Sequence, residues 1–102
     1  MQKHTFVIPA YKDSPYLENC INSLLKQSVS SEIIIATSTP SLYIEQMAKK
    51  QNLPYFVNSA PSAIASDWNF AIEKANNTLV TIAHQDDIYE PNYTETILKE
   101  IE

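Results

Sequence analysis

The sequence predicts an α/β domain of three layers, in which a mainly parallel sheet of strand order 3-2-1-4 carries helices on both faces. Three observations predict it. Four short β-branched runs alternate with four stretches of apolar residues at helical spacing, and that alternation calls for parallel strands joined by right-handed helical crossovers. The chain has 102 residues, 44% hydrophobic and 19% charged, enough for one modest core and too few for two. Glycine is absent, which excludes both the Walker A loop and the glycine-rich dinucleotide fingerprint, since each needs positive φ and close backbone approach to phosphate. A bound nucleotide must therefore have its phosphates neutralised by a helix N-terminus or by a metal held on carboxylates.

Taken in order, Thr5-Phe-Val-Ile-Pro9 is the first strand, closed by its proline and followed by the polar loop Tyr11 to Ser14. Ser14 and Pro15 have the pattern of an N-cap with proline at N1. Leu17, Cys20, Ile21, Leu24 and Leu25 then form one apolar stripe. Glu32 to Ala36 is a second, buried strand, with Thr39 a candidate N-cap for a helix that turns Leu42, Ile44, Met47 and Ala48 inward. Pro54 to Val57 is a shorter third strand. After a loop at Asn58 to Ser62, a helix through Ala75 places Ile64, Trp68, Ala71, Ile72 and Ala75 on its buried side. An aromatic on an apolar stripe reads as core, with a stacking platform as the alternative. Thr78 to Ala83 is the fourth strand, read as buried on both faces, and Pro91 to Ile101 the last helix, with Tyr93, Ile97, Leu98 and Ile101 on one side.

In a parallel sheet every loop that follows a strand opens on the same edge, where such folds bind ligands. Tyr11 to Ser14, Thr37 to Ser41, Asn58 to Ser62 and His84 to Glu90 therefore converge on one crevice, with Asp86, Asp87 and Glu90 as its carboxylates. Adjacent carboxylates raise each other's pKa unless a cation or hydrogen-bond donors compensate, and a hard divalent ion would do so. The alternative is an ordinary turn before a helix, since Glu90-Pro91-Asn92 has the composition of a helix start. No Ser or Cys stands beside a well-placed His, so a nucleophile–base pair is not expected. His4, before the first strand, reads as solvated, and His84 as bonded to backbone rather than to a metal.

A net charge of −5 with no run of basic residues argues against nucleic acid or an anionic membrane as a direct partner. The longest apolar runs are about four residues, too short for a membrane span or a leader. Cys20 falls on the apolar stripe and reads as a buried thiol, which makes a reducing cytoplasm the expected compartment.

Phe6-Val-Ile-Pro-Ala-Tyr11, Leu24-Leu-Lys-Gln27, Glu32-Ile-Ile-Ile35 and His84-Gln-Asp-Asp87 together resemble the family-2 glycosyltransferases of the GT-A fold, the last stretch resembling that family's aspartate-x-aspartate motif. The resemblance covers the whole chain and implies a Rossmann-like half domain that binds a nucleotide diphosphate sugar. By resemblance, Pro9, Ala10 and Tyr11 line the base pocket, Asp86 holds Mg²⁺ or Mn²⁺ bridging the diphosphate, and Asp87 is the catalytic-site carboxylate near the donor sugar. Asn69 matches an asparagine of the third helix, and Gln85 lies inside the motif. The chain departs from the pattern in three places: Thr37 and Ser38 stand where aspartates usually read the base, His84 replaces the motif's first aspartate, and Trp68 stands where arginine is common.

The resemblance also implies that residues 1–102 are the donor-binding half of an inverting, cell-envelope-type transferase, apparently truncated, with the acceptor site and catalytic base beyond Glu102. The expected donor is a UDP- or dTDP-sugar and the expected acceptor a glycan, in the cytoplasm or at the inner face of the membrane. A non-catalytic nucleotide-sugar-binding module is the alternative. A receiver-like phosphoryl-transfer domain is a third reading, opposed by Thr37 and Val57 where a phospho-accepting aspartate would be sought. Self-association is expected through the uncharged fourth strand or the apolar side of the last helix, because Thr78 to Ala83 lacks the charges and prolines that discourage edge pairing.

Overall fold

A computed structural model describes residues 2–59 and 64–101 of the chain. The elements run β1 (Thr5–Ala10), α1 (Leu17–Leu25), β2 (Glu32–Thr37), α2 (Leu42–Lys50), β3 (Tyr55–Val57), α3 (Ile64–Glu73), β4 (Val80–Ile82) and α4 (Tyr93–Glu100). The four strands form one parallel sheet in the expected order β3-β2-β1-β4.

Strand β1 is central. Its residues alternate between two cores, because successive side chains of a strand point to opposite faces. Phe6, Ile8 and Ala10 join Leu17, Cys20, Ile21 and Leu24 of α1 and Ile44 and Ala48 of α2 on one face. Val7, with Ile34 and Ala36 of β2, packs against Ala71 and Phe70 of α3 on the other. The three layers follow from that division: α1 and α2 on the first face, α3 on the second. Tyr89 and Tyr93 extend the first core, each within 6 Å of the Phe6 ring centroid.

Several details differ from the sequence expectations. Ser14 does not cap α1. Its hydroxyl accepts from the backbone N–H of Tyr16, and Tyr16 occupies the N-cap without a side-chain bond. Ser41, rather than Thr39, caps α2 by accepting from Ile44 N–H. Leu42 is 68% exposed, because it stands at the first helical position and faces away from Ile44. The inward residues are Phe70 and Ala71 of α3 and Ala75 just past its end, whereas Ile72 and Trp68 are exposed. Ile64 and the loop at 60–62 fall outside the described side chains. β4 is half-buried rather than buried, since as an edge strand it pairs with β1 alone. Its ladder extends past its ends through Thr5 N–H to Leu79 O at 3.0 Å and Ala83 N–H to Val7 O at 2.8 Å.

The largest departure is His4, which is fully buried. Its ring nitrogens lie 2.8 Å from Ser31 Oγ and 2.7 Å from Thr81 Oγ1, and Ser31 Oγ lies 2.9 Å from Thr94 Oγ1. One imidazole thus ties the starts of β1 and β2 to β4 and α4. Two direct hydroxyl partners, with Thr94 behind Ser31, make burial tolerable. Burial also holds the His4 pKa below its ordinary value.

Without glycine, two of the described residues take the left-handed region: Asn52 and Lys12, both at φ 55°. Asn52 follows α2, where asparagine is the ordinary substitute for glycine, and Leu53 N–H closes the turn onto Ala48 O at 2.9 Å. Lys12 lies in the loop after β1 and has no such licence from its residue type.

Candidate functional site

The carboxyl edge of the sheet collects the loops after β1, β2, β3 and β4. Two cross-links join the first and last of these. The Gln85 side-chain amide grips the backbone of Tyr11 at both ends, accepting from Tyr11 N–H at 3.0 Å and donating to Tyr11 O at 2.9 Å. Ser14 Oγ donates to Asp86 Oδ1 at 2.9 Å. A two-point amide clamp fixes both position and orientation of the loop it holds, and the hydroxyl does the same for the carboxylate. The strained Lys12 lies between these two links, with its backbone N–H donating to Thr39 Oγ1 at 2.7 Å. Holding a non-glycine residue at positive φ costs about 1 kcal/mol, and such strain persists where surrounding contacts over-determine it.

Ser14 is itself anchored from below, since Tyr43 of α2 donates its hydroxyl to Ser14 O at 2.6 Å. Under the β4 loop, Cys20 Sγ donates to His84 O at 3.4 Å, and Asp87 N–H closes a turn onto the same carbonyl at 3.0 Å. Burial, followed by the negative charges of Asp87 and Asp86, pushes the Cys20 thiol up to about 12. Cys20 is therefore a neutral donor supporting the loop and not a nucleophile.

A second cluster joins β2, β3 and α3. Asp67, in the first turn of α3, accepts from Ser38 Oγ at 3.0 Å and from Asn58 Nδ2 at 3.3 Å. Sequence reasoning missed Asp67. The available signal was its place in the first turn of a helix that begins at this edge, where a carboxylate is favoured.

The predicted residues are distributed as follows. Asp86 and Asp87 are exposed at the edge, as is Tyr11. Pro9 is half-buried, while Ala10 and Thr37 are buried. The Thr37 hydroxyl is engaged by Thr39 N–H at 3.0 Å. Ser38 lies on the Asp67 cluster, and Asn69 is exposed on α3 next to Trp68. The Trp68 ring meets the His84 ring edge-on, with centroids 5.7 Å apart. Among the described residues, no group of three or more His, Cys, Asp or Glu side chains is disposed to hold a metal ion. A cation at Asp86 would need further oxygens from a ligand and water, which is the usual manner of Mg²⁺ with phosphates. A separate cavity of about 360 Å³ lies between Asn19 and Asn22 of α1, with Lys26 at its C-cap, and the strap formed by Ile88, Glu90 and Pro91.

The family model for glycosyl transferase family 2 matches residues 5–102. The chain belongs to that family. It is 31% identical over 88 residues to the uncharacterized glycosyltransferase EpsJ of Bacillus subtilis (strain 168), an alignment covering 81% of this chain and 26% of EpsJ. It is 22% identical over 104 residues to glycosyltransferase GlyA of Streptococcus pneumoniae serotype 4, covering 97% of this chain and 15% of GlyA. The chain thus spans about a quarter or less of these relatives. Among solved structures, S. aureus TarS superposes with a TM-score of 0.83 at 18% identity, over 98% of this chain and 19% of TarS. TarS 1-349 in complex with UDP superposes at 0.77 with 21% identity, over 98% of this chain and 32% of that one. The chain therefore has the fold of part of each of these longer proteins, and its carboxyl edge carries the clamp and the carboxylates. No helix among the described residues is long and apolar enough to cross a membrane.

Proposed function

We propose that residues 1–102 bind the nucleoside diphosphate of a UDP- or dTDP-sugar at the carboxyl edge of the sheet, as the donor half of an inverting glycosyltransferase acting on a glycan acceptor. The observation that carries this reading is the pair of cross-links that holds the β4 loop against the β1 loop: Gln85 on the Tyr11 backbone and Ser14 on Asp86. They hold an exposed carboxylate in a fixed place beside an exposed tyrosine, which suits a diphosphate and a base. The complex of TarS 1-349 with UDP, a neighbour in fold, supports a uridine nucleotide.

In this reading Asp86 would hold Mg²⁺ or Mn²⁺, and Asp87 stands next to it in the chain on the sugar side. The ion supplies charge stabilisation of the departing diphosphate. Tyr11, with Pro9 and Ala10 behind it, borders the base, and Ser38 and Thr37 border it from β2. Gln85 acts through the loop, by fixing Tyr11. The acceptor and the base that deprotonates it belong to the remainder of the larger protein, working in the cytoplasm or at the inner face of the membrane.

Calorimetry with UDP and with dTDP, each with MnCl₂ or EDTA, tests the proposal. The expected result is binding that needs Mn²⁺ and is lost in Asp86→Ala. Equal affinity in EDTA, or full affinity in Asp86→Ala, would remove the metal role. Self-association through β4 is a separate proposal, tested by light scattering on a size-exclusion column with Ile82→Lys as the disrupting variant.

A further inference from the structure

Trp68 and His84 meet at the carboxyl edge at an interplanar angle of 61°, and the core absorbs neither. Trp68 keeps 37% of its surface exposed, and His84 is exposed. Both rings ride on anchored backbone. Asp67, immediately before Trp68, is held by Ser38 and Asn58, and the His84 carbonyl receives Cys20 Sγ and Asp87 N–H. The pair is thus an aromatic wall, with His84 two residues from Asp86. The charge carried by the segments around it is mainly negative. All seven basic residues of the chain are lysines, and Lys12 is the single lysine in the four loops that follow the strands, whereas Asp67, Asp86 and Asp87 each stand within three residues of Trp68 or His84 in the sequence.

We propose that Trp68, braced by His84, is the stacking platform for the sugar ring of the donor, and that it selects a neutral pyranose over a uronic acid. The proposal rests on the nucleotide-sugar reading above. A pyranose presents a face of C–H groups that can cover the indole and leave water, while its hydroxyls find acceptors in the neighbouring carboxylates. A sugar carboxylate in the same place would face those aspartates with no arginine to offset the repulsion.

Trp68 is the only tryptophan, so its fluorescence reports on this wall alone. The chain in MnCl₂ is titrated with UDP, UDP-glucose, UDP-N-acetylglucosamine and UDP-glucuronate, with affinities read in parallel by calorimetry. The neutral UDP-sugars are expected to bind roughly five- to tenfold tighter than UDP, the size of one good aromatic contact, and to change Trp68 emission where UDP does not. UDP-glucuronate should gain nothing over UDP. Trp68→Ala should erase the gain and leave UDP affinity within about twofold, and Trp68→Phe should keep most of it. UDP binding with no gain from any sugar overturns this inference alone, as does equal loss of UDP and UDP-sugar affinity in Trp68→Ala. An equal gain for UDP-glucuronate overturns the selection. Failure of UDP and all its sugars to bind overturns the donor reading and this one together. Should Trp68→Ala fail to fold, the emission and affinity series on the unaltered chain still decides.

Discussion

The two ends of the sheet handle polar side chains in opposite ways. At the amino end, His4, Thr5, Ser31 and Thr94 are buried and bonded to one another or to their neighbours. Glu32 joins them by accepting from Thr5 Oγ1 at 2.7 Å, from Asn76 N–H at 2.9 Å and from the Asn76 side-chain amide. Burial acts to raise the Glu32 pKa, but those donors outweigh it and hold the carboxyl below the usual range. At the carboxyl end, Tyr11, Trp68, His84, Asp86 and Asp87 are exposed, and their partners fix them in place without enclosing them. Satisfied polar groups in a closed network specify and stabilise a fold. Groups held in position yet open to solvent contribute little to stability and remain free to meet a ligand.

His4→Ala should show the contrast most strongly. It leaves a cavity and orphans two hydroxyls, and a loss of about 3 kcal/mol or more in urea denaturation is expected. Asp86→Ala, at the other end, should stay within about 0.5 kcal/mol while losing Mn²⁺-dependent UDP binding. Comparable destabilisation by both would break the distinction.

The pH dependence of stability sharpens it. His4 folds with its pKa lowered, so the native state binds fewer protons than the unfolded chain. Its contribution is complete above the unfolded value near 6.5 and is lost as pH falls below it. Glu32, also lowered, adds stability that is present above about 4.3 and lost as pH falls through its folded value. Melting temperatures should therefore decline from pH 7.5 to 5.5, and His4→Gln should flatten that decline. A flat profile in the unaltered chain would count against a neutral, buried His4.

Gln85→Ala probes the clamp. Two hydrogen bonds in an exposed loop are worth about 1 kcal/mol of stability together, but freeing Tyr11 should weaken UDP binding by about three- to tenfold through lost preorganisation. Unchanged UDP affinity would reduce the clamp to a structural detail. The smallest effect is expected at Lys12. Lys12→Gly relieves the positive φ and should stabilise the chain by roughly 0.5 kcal/mol, after the entropy cost of glycine is subtracted. Destabilisation there would show that the lysine side chain, 5.2 Å from the Tyr11 ring centroid, matters more than its backbone.

The parallel sheet was legible from alternation, because right-handed crossovers admit few arrangements for βαβ units, and its order followed from the half-Rossmann pattern. The adjacent aspartates at the end of β4 were legible as a motif. The clamp was not: Gln85 and Tyr11 are 74 residues apart, and nothing in either residue marks the other as its partner. Asp67 was hidden for the same reason, since Ser38 and Asn58 reach it only once β2, β3 and α3 are assembled. Trp68 was misassigned to the core because helical spacing places it on the Ala71–Ala75 stripe. The buried stripe on α3 is narrower than its spacing suggests.

By itself the sequence determined the class of fold, one core of two faces, the exclusion of glycine-loop phosphate binding, and the strand that carries the carboxylates. These are properties of periodicity and composition, which act within a dozen residues. Only the tertiary structure decided that His4 is buried, that Ser14 serves Asp86 instead of a helix, and that Trp68 faces His84. Each depends on which distant side chain offers a hydrogen bond or a ring face. A polar group's burial is settled by its partners in space, whereas an apolar residue's burial is announced by its neighbours in the chain.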